Sequence, residues 1–220
     1  MENILIIGSG GHAKVIIDIV EKEGNYNIVG LLNKQAKANE KISGYDLLGK
    51  EEDLPKFAKI HAIQGIIIAV GDNYTRAKVV SRIKEKCPEL SFFSAIHPNA
   101  SLAPDVSIGQ GTVIMAGVSV NATSSIGEFC ILNTNSSLDH DSQMGDFSSL
   151  APGVIVGGEC QINEFSAVNI GAILIPRITI GKHSVVGAGA LVNKPVGSFE
   201  VVYGSPAKKI RDRKEGEKYL

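Results

Sequence analysis

The chain has 220 residues, 44% of them hydrophobic, with 22 basic and 23 acidic side chains, so it has enough apolar residues for a core in one or two domains. Its formal net charge of −1 excludes a global attraction to nucleic acid or to an anionic membrane, and leaves small molecules as the expected partners. The N-terminal stretch MENILIIGSGG is too short in apolar residues for a signal peptide or a membrane-spanning helix, which favours a cytoplasmic protein. The cysteines, Cys87, Cys130 and Cys160, form no CxxC pair and argue against a disulfide framework or a structural zinc site.

Residues 1–92 alternate between apolar runs and helical patterns. In chain order the predicted elements are the strand NILIIG, the helix GHAKVIIDIVEKEG, the strand YNIVGLLN, the strand GIIIAVGDN, the helix YTRAKVVSRIKEK and the strand SFFSAI. Consecutive β-α-β units predict a small parallel α/β domain. Because its strands are few, it resembles the mononucleotide-binding half of a dinucleotide-binding fold.

The turn GSGGHA after the first strand fits the pattern G-x-G-x-x-A at the start of a helix. There the backbone can approach a phosphate at the positive end of the helix dipole, so Gly8, Gly10, Gly11 and His12 are candidate nucleotide ligands. The second strand ends at Asn33, where a dinucleotide-binding protein would carry a ribose-binding acid, and this disfavours a nicotinamide cofactor. A tight strand-to-helix turn, with His12 bonded to a loop carbonyl, would explain the same residues.

The second candidate loop is GDNYTR, after the third predicted strand. Ligands of open α/β sheets bind outside the carboxyl ends of the strands, which would bring Asn73 and Arg76 to the same crevice as the glycine-rich turn. Arg76 is suited to meet a phosphate. Alternatively, Asn73 caps the following helix and Arg76 is solvated.

A hexad repeat occupies the second half of the chain. An aliphatic residue or Met recurs at every sixth position, namely at Ile96, Leu102, Ile108, Ile114, Val120, Ile126, Leu132, Leu138, Met144, Leu150, Val156, Ile162, Val168, Leu174, Ile180, Val186 and Val192. A helix cannot produce this period, whereas short parallel strands wound into coils can. The sequence therefore predicts a β-solenoid over residues 93–220, with three hexads per coil, and a charged tail, AKKIRDRKEGEKYL, that ends as a short helix or is disordered.

The stretch NTNSSLDHDSQMGD, residues 133–146, carries polar residues at outward positions of this repeat. Leu138 and Ser142 point inward, so Asp139, His140 and Asp141 lie on the surface. An imidazole is suited to take a proton from a nucleophile at neutral pH, and an adjacent carboxylate can orient it. An exposed solenoid turn would also tolerate His and Asp without any catalytic role.

Metal binding is not expected from the histidine positions. The solenoid histidines, His97, His140 and His183, fall on three different faces of one prism, whereas coordination requires several protein ligands that converge.

Three segments together carry a family resemblance. GAILIPRITIGKHSVVGAGALVNKPVGSFEVVYGSPAKKI, GSGGHAK and NTNSSLDHDSQMGD resemble corresponding segments of bacterial hexapeptide-repeat nucleotide-sugar acetyltransferases. That group includes enzymes that N-acetylate UDP-4-amino-sugars and the sialic acid O-acetyltransferase type. The resemblance implies a left-handed parallel β-helix and a homotrimer.

The same resemblance assigns roles to residues. It makes His140 the general base and Asp141 the acid that raises its basicity, with Asn133 as a further substrate-binding candidate. The GSGGH and GDNYTR loops would hold the nucleotide diphosphate, and Asn33 would lie near the base. Acetyl-CoA would lie in a groove between two prisms, without a metal, against residues that include Ser149, Ile170, Gly171, Gly187 and Ala188.

The function predicted on this basis is acetyl transfer from acetyl-CoA to the amino group of a nucleotide-linked 4-amino-sugar, with UDP as the expected nucleotide, in bacterial surface glycan synthesis. Two alternatives stay open. The same His–Asp pair would serve sugar O-acetylation of the sialic acid type. A non-catalytic scaffold that senses a nucleotide would also use a repeat surface as a binding platform.

Overall fold

In a computed structural model of the protein, residues 1–35 and 40–219 are described. The chain divides into two compact units. The first comprises Met1–Gly71 and Thr75–Pro98, and the second comprises Asp72–Tyr74 and Asn99–Leu220. The first unit thus extends past residue 92, the predicted domain boundary, because residues 95–96 contact the helix of residues 11–23.

The first unit is an α/β sheet with helices. Its elements are β1 (Glu2–Ile7), α1 (Gly11–Glu23), β2 (Tyr26–Leu32), β3 (Lys41–Ile42), β4 (Tyr45–Gly49), a 3₁₀ turn (Glu51–Asp53), α2 (Leu54–Ile60), β5 (Gly65–Ile68), α3 (Asn73–Lys86), β6 (Ser91–Phe92) and β7 (Ala95–Ile96). The strand order is β3-β4-β2-β1-β5-β6, and β1 pairs in parallel with both β2 and β5. Residues Ile4 to Ile7 are at most 2% exposed, as a central parallel strand covered on both faces requires.

Two details of this unit differ from the sequence prediction. The third predicted strand, residues 65–73, ends at Ile68, and Asn73 already belongs to α3, so the polar GDN segment is a loop. The β3–β4 hairpin and α2 were not predicted, because two-residue and five-residue strands between charged segments carry too little periodicity to be recognised.

The hexad prediction is confirmed at every repeat. Strands β7 to β23 are two residues long, and each ends at the predicted aliphatic residue or Met. They are Ala95–Ile96, Ser101–Leu102, Ser107–Ile108, Val113–Ile114, Ser119–Val120, Ser125–Ile126, Ile131–Leu132, Ser137–Leu138, Gln143–Met144, Ser149–Leu150, Ile155–Val156, Gln161–Ile162, Ala167–Val168, Ile173–Leu174, Thr179–Ile180, Val185–Val186 and Leu191–Val192.

These strands form three parallel sheets, one for each face of a prism. Within the second unit, face 1 contains every third strand from β10 to β22, face 2 every third strand from β8 to β23, and face 3 every third strand from β9 to β21. Each residue pairs with the one a full coil away, as Ser137 does with Ser119 and with Ile155. Residues separated by eighteen positions are therefore neighbours.

The turns between faces form three edges. The first edge, between faces 1 and 2, includes residues 133–136, 151–154, 169–172 and 187–190; the second, between faces 2 and 3, includes 121–124, 139–142, 157–160 and 175–178; the third, between faces 3 and 1, includes 127–130, 145–148, 163–166 and 181–184. One residue of each turn, at every sixth position from Gly111 to Gly189, has a positive φ. This left-handed residue turns the chain from one face to the next.

Inward hydroxyl and thiol groups hold the edges from inside. On the second edge, Ser124 Oγ donates to the carbonyl of Asp139 at 2.9 Å, and Ser142 Oγ donates to the carbonyl of Gly157 at 3.2 Å. Ser142 Oγ also accepts the backbone N–H of Cys160 at 3.1 Å. The backbone around residues 139–142 is thus fixed on both sides by buried hydrogen bonds.

The third edge carries a ladder of stacked rings. Ring centroids lie 5.1 Å apart for Phe129 and Phe147, 5.3 Å for Phe147 and Phe165, 4.5 Å for Phe165 and His183, and 4.9 Å for His183 and Phe199. This histidine is therefore part of the packing of its edge, and burial lowers its pKa.

The chain ends in a hairpin. Strand β24 (Glu200–Tyr203) joins face 1 beside β22, and β25 (Lys208–Asp212) pairs with it in antiparallel orientation. The prediction of a helical or disordered tail is wrong for residues 208–212. Lys209 reaches Glu200 at 2.9 Å and Asp212 at 2.7 Å, so part of the charge that indicated disorder is paired within the hairpin. Within residues 1–35 and 40–219, no helix is both long and apolar enough to cross a membrane.

Candidate active site

His140 lies on the second edge, two residues after strand β14 (Ser137–Leu138). Leu138 is fully buried and Ser142 is buried, whereas the His140 side chain is 53% exposed. The predicted separation between inward and outward positions of this stretch is therefore confirmed. The coil presents the imidazole on a rigid turn rather than on a mobile loop.

An ordered set of hydrogen bonds surrounds the imidazole. Its Nδ1 lies 2.8 Å from Oδ2 of Asp141. The backbone N–H of His140 donates to Oδ1 of Asp139 at 2.8 Å, and the same oxygen accepts the side-chain amide of Asn121 at 2.6 Å. Asp141 therefore acts on the ring, whereas Asp139 fixes the backbone.

These contacts set the ionisation of the pair. The hydrogen bond that Asp141 accepts from the ring raises the pKa of His140 above its ordinary value, and the charges of Asp139, Asp141 and Glu159 act in the same direction. The pKa of Asp141 is lowered, first by its hydrogen bond from Thr123 and then by that from His140. An Nδ1–H directed at a carboxylate leaves Nε2 as the basic nitrogen, which is the arrangement of a general base.

The imidazole extends over the next coil at Gly158. A Cβ atom at this position would lie 2.6 Å from Nε2 and 2.7 Å from Cε1 of His140. A glycine is required here because of the ring above it, since no positive φ explains it. Gly158 leaves the space in which the basic nitrogen lies.

Replacing Asp141 by Asn is expected to lower the pKa of His140, since the carboxylate that stabilises the imidazolium is lost. The pH at which half of the imidazole is protonated, followed by NMR titration, should fall. In a kinetic profile, the limb of kcat/KM that rises as His140 loses its proton should move to lower pH.

Asp139→Asn is the matched control. It removes a neighbouring charge but leaves the hydrogen bond between Asp141 and the ring, and should shift the titration less. Equal shifts in the two variants would show that charge alone, and not this hydrogen bond, raises the pKa of His140.

The glycine-rich turn forms a second candidate site, in the first unit. A Cβ at Gly8, whose φ is +120°, would lie 2.5 Å from the carbonyl oxygen of Ala69, so this glycine permits close packing of the turn against the end of β5. Gly10 and Gly11, in contrast, have open space where a side chain would be. Asn33 donates its side-chain amide to Oγ of Ser9 at 2.6 Å. The structure thus brings the glycine-rich turn and Asn33 together at the carboxyl ends of β1 and β2.

His12 and Arg76 lie beneath this turn. Burial, and then the charge of Arg76, lower the pKa of His12 to about 4, so His12 is neutral at pH 7. Its buried Nε2 has no hydrogen-bond partner among the described residues. Arg76 is 1% exposed and donates to the carbonyls of Val70 at 3.0 Å and Gly71 at 2.8 Å. These bonds hold the β5–α3 loop, and a phosphate contact by Arg76 stays a prediction.

Asn73 is 1% exposed, and its side-chain amide donates to the carbonyl of Ser166 at 3.0 Å. Both residues belong to the second compact unit. Substrate binding by Asn73 stays a prediction as well, and the contacts that the structure shows for it are structural.

The residues predicted for acetyl-CoA lie mostly on the first edge. Ile170 and Gly171 occupy one of its turns, and Gly187 and Ala188 occupy the turn one coil later. Ile170 is 61% exposed, and nothing lies near the position of a Cβ at Gly171. Asn133 is on the same edge, and Ser149 is on face 1 beside it. Within one chain, face 2 therefore separates all of these residues from His140.

Four residues of the His140 site were not predicted from the sequence, namely Asn121, Thr123, Gly158 and Glu159. Each lies eighteen positions from Asp139, His140 or Asp141, so the coil period would have found them. Cys130 and Cys160 are buried. Among the residues that the structure describes, no three His, Cys, Asp or Glu side chains form a group that could hold a metal ion.

Known proteins match the first unit alone and both units together. Residues 3–83 match the family model of the PglD N-terminal domain. PerB of Caulobacter crescentus, solved in complex with CoA and GDP-perosamine, is 32% identical with a TM-score of 0.88, and the match covers 95% of this chain and 97% of that one. A second structure, of a GDP-perosamine N-acetyl transferase from the same organism, has the same fold and is also 32% identical to this chain. The chain belongs to the nucleotide-sugar N-acetyltransferase family.

Other members of this family agree with that assignment. The acetyltransferase domain of PglB from Neisseria gonorrhoeae FA1090, in complex with acetyl coenzyme A, has a TM-score of 0.87 at 28% identity, with 95% of this chain and 99% of that one covered. UDP-N-acetylbacillosamine N-acetyltransferase of Bacillus subtilis (strain 168) is 32% identical over 116 residues, which is 53% of this chain and about half, 52%, of that protein. The predicted fold class, an α/β domain followed by a β-helix of hexapeptide repeats, is confirmed.

Proposed function

We propose that the protein transfers the acetyl group of acetyl-CoA to the amino group of a nucleotide-linked 4-amino-sugar, with UDP as the expected nucleotide, in the cytoplasm during bacterial surface glycan synthesis. The observation that carries the proposal is the His140–Asp141 pair, with Nδ1 and Oδ2 2.8 Å apart on an exposed edge of the β-helix. Relatives named above support it. PerB was solved with CoA and GDP-perosamine, a second structure from the same organism is a GDP-perosamine N-acetyl transferase, and the acetyltransferase domain of PglB was solved with acetyl coenzyme A.

The chemistry proposed for the pair is general-base catalysis. His140 Nε2 takes a proton from the attacking amine while the amine nitrogen bonds to the thioester carbonyl carbon. Asp141 stabilises the imidazolium that forms. The C–S bond then breaks, and the sulfur takes the proton held by the imidazolium and leaves as the free thiol of CoA. No covalent enzyme intermediate is needed, and holding both substrates in one groove supplies part of the rate by orientation.

The nucleotide would bind to the glycine-rich turn of the first unit. Helix α1 begins at Gly11, no described side chain caps it, and no acidic side chain occupies its first turn. The open space at Gly10 and Gly11 allows an anion to approach the helix terminus. Asn33 donates its amide to Ser9 and accepts the backbone N–H of Lys34 at 2.7 Å. It is thereby held at the neighbouring strand end, where we place the nucleobase.

We propose a homotrimer because the predicted ligand residues occupy two different edges. A groove that contains both His140 and the residue set around Gly171 and Ala188 requires the second edge of one chain to face the first edge of another. Face 2 lies between these edges and carries exposed isoleucines, with Ile155 at 51% and Ile173 at 41% exposure. Apolar surface of this kind favours association. A stable and active monomer in sedimentation equilibrium would contradict this arrangement.

The direct experiment supplies acetyl-CoA with a panel of UDP- and GDP-linked 4-amino-sugars and with free sialic acid, and measures release of the CoA thiol. The expected result is thiol release that depends on an amino-sugar nucleotide, with a product whose acetyl group survives alkali. An alkali-labile product would show O-acetylation instead, because alkali cleaves an ester and spares an amide. Absence of thiol release with every acceptor would favour the non-catalytic scaffold.

A further inference from the structure

Thr123 adopts a backbone conformation that its side chain disfavours. Its φ is +58°, at one of the left-handed positions that recur at every sixth residue. The other residues at these positions are glycines or carry unbranched Cβ atoms, and among the described residues with positive φ Thr123 alone is β-branched. A β-branched residue is an outlier in this region, and such strain persists where surrounding interactions or function require it.

The hydroxyl of Thr123 is directed at the catalytic pair. Thr123 Oγ1 lies 2.5 Å from Oδ1 of Asp141, and Oδ2 of the same carboxylate lies 2.8 Å from Nδ1 of His140. The carbonyl oxygen of Ala122 is also within 2.7 Å of this hydroxyl, but one O–H donates fully to only one acceptor at a time, and the charged carboxylate is the stronger one. Each oxygen of Asp141 thus has its own donor.

Thr123 is itself held by the preceding coil. Its backbone N–H donates to Oδ2 of Asp105 at 3.0 Å, and the backbone N–H of Asp141 donates to the carbonyl of Ala122 at 3.1 Å. The residues Asp105, Thr123 and Asp141 are spaced by eighteen positions along the second edge. The hydroxyl is therefore presented by a fixed backbone, although Asp141 itself is 56% exposed and has solvent on its other side.

From these contacts we propose that Thr123 is a positioning residue, which holds the Asp141 carboxylate in line with Nδ1 of His140. A solvent-exposed carboxylate with a single partner can rotate about its side-chain torsions. A second hydrogen bond, to Oδ1, restricts that rotation. The inference rests on the proposed function only for its kinetic consequence, since the orientation of the pair is a property of the protein alone.

The first test is an NMR titration of the imidazoles without any substrate. The His140 signal is assigned by its absence in a His140→Ala spectrum. Thr123→Val keeps the shape and the β-branching but removes the hydroxyl, and should lower the pKa of His140 relative to wild type. Thr123→Ser restores the hydroxyl and should restore the wild-type titration. Identical titration of wild type and Thr123→Val would overturn the proposal, as would failure of the serine variant to differ from the valine variant.

The charged groups that act on His140 must be constant in this comparison. They are Asp139, Asp141 and Glu159, and Glu159 is paired with Arg177, whose Nη2 lies 3.0 Å from it. None of these residues is altered in the two Thr123 variants. A double-mutant cycle isolates the route: in an Asp141→Asn background, Thr123→Val should cause no further change in the titration of His140. A full additional shift there would show that the hydroxyl acts other than through Asp141.

The kinetic test follows from the proposed function. Thr123→Val should lower kcat/KM for the amino-sugar nucleotide about three- to tenfold near neutral pH, and Thr123→Ser should retain most of it, because misorientation of a catalytic group lowers the rate without abolishing binding. If the wild-type protein transferred no acetyl group, the proposed function would be refuted, but the NMR result would stay valid. Unchanged kcat/KM in Thr123→Val, with active wild type, would refute the positioning role.

A third variant separates positioning from folding. Thr123→Gly relieves the strain of the positive φ, so the melting temperature should stay the same or rise. The pKa of His140 should nevertheless fall as it does in the valine variant. Loss of the folded state in Thr123→Gly would instead assign Thr123 a structural role.

Discussion

Replacement of His140 by Ala is expected to lower the turnover number for acetyl transfer by 10²-fold or more, which corresponds to about 2.7 kcal/mol of activation free energy. The reason is that the variant removes the imidazole that takes the proton of the amine in the proposed mechanism. The side chain is 53% exposed and contributes no core packing, so the fold should be retained. The measurement is the initial rate of CoA thiol release at saturating substrates, together with the melting temperature.

His61→Ala serves as the control for this variant. His61 lies at the end of α2 in the first unit, where its ring stacks on Phe57 at 6.0 Å, and it takes no part in either candidate site. It should retain the wild-type rate. If His140→Ala kept more than about a tenth of the wild-type turnover, His140 would not be a general base of the usual effect.

Replacement of Gly158 by Ala is expected to reduce kcat/KM by about 10²-fold without touching a reactive group. The new methyl would lie 2.6 Å from Nε2 of His140, so the ring must rotate away, and misplacement of a catalytic group by about 1 Å has effects of this size. Because the displaced ring is exposed and can move, the free energy of unfolding should change by less than about 1 kcal/mol. Urea denaturation and steady-state kinetics of the same preparation test the two halves of this prediction.

A double-mutant cycle provides the control for Gly158. When His140 is already Ala, the added methyl meets no ring, and Gly158→Ala should leave the residual rate unchanged. A further loss in that background would mean that Gly158 contributes to substrate binding or folding rather than to the position of the imidazole.

The β-helix was predictable residue by residue because its physical demand is simple. A coil of three two-residue strands requires an apolar side chain at the end of each strand, and the sequence satisfies this from Ile96 to Val192 without interruption. The β3–β4 hairpin was missed because β3 is only two residues long, although its two-residue turn, Ser43 and Gly44 with positive φ, is a local hairpin signal. The tail was mispredicted because its charged composition was taken as a sign of disorder. The pairing with strand β24, whose Glu200 binds Lys209, was not considered.

The candidate site divides in a similar way. His140 and Asp141 were recognisable because polar residues occupy outward positions of an otherwise bland repeat. Neighbours one coil away were missed, since Thr123 and Gly158 look ordinary in a linear sequence and acquire meaning only through the eighteen-residue period. Arg76 and Asn73 show the opposite error, in which polar residues of a predicted ligand loop are not exposed to a ligand. Both side chains are 1% exposed and bond to backbone carbonyls.

The left-handed turn residue at every sixth position limits how such a chain can change in length. Gain or loss of eighteen residues adds or removes a whole coil and leaves every column of side chains continuous, so imidazole, carboxylate and hydroxyl keep their mutual geometry. Gain or loss of six residues preserves each strand but moves all later columns on by one edge, which would separate His140 from Thr123 and place aromatic rings where polar groups lie now. The coils themselves can therefore be lengthened only by whole coils. Sequence comparison of such enzymes should find insertions within the repeat either as multiples of eighteen or as loops that leave the prism.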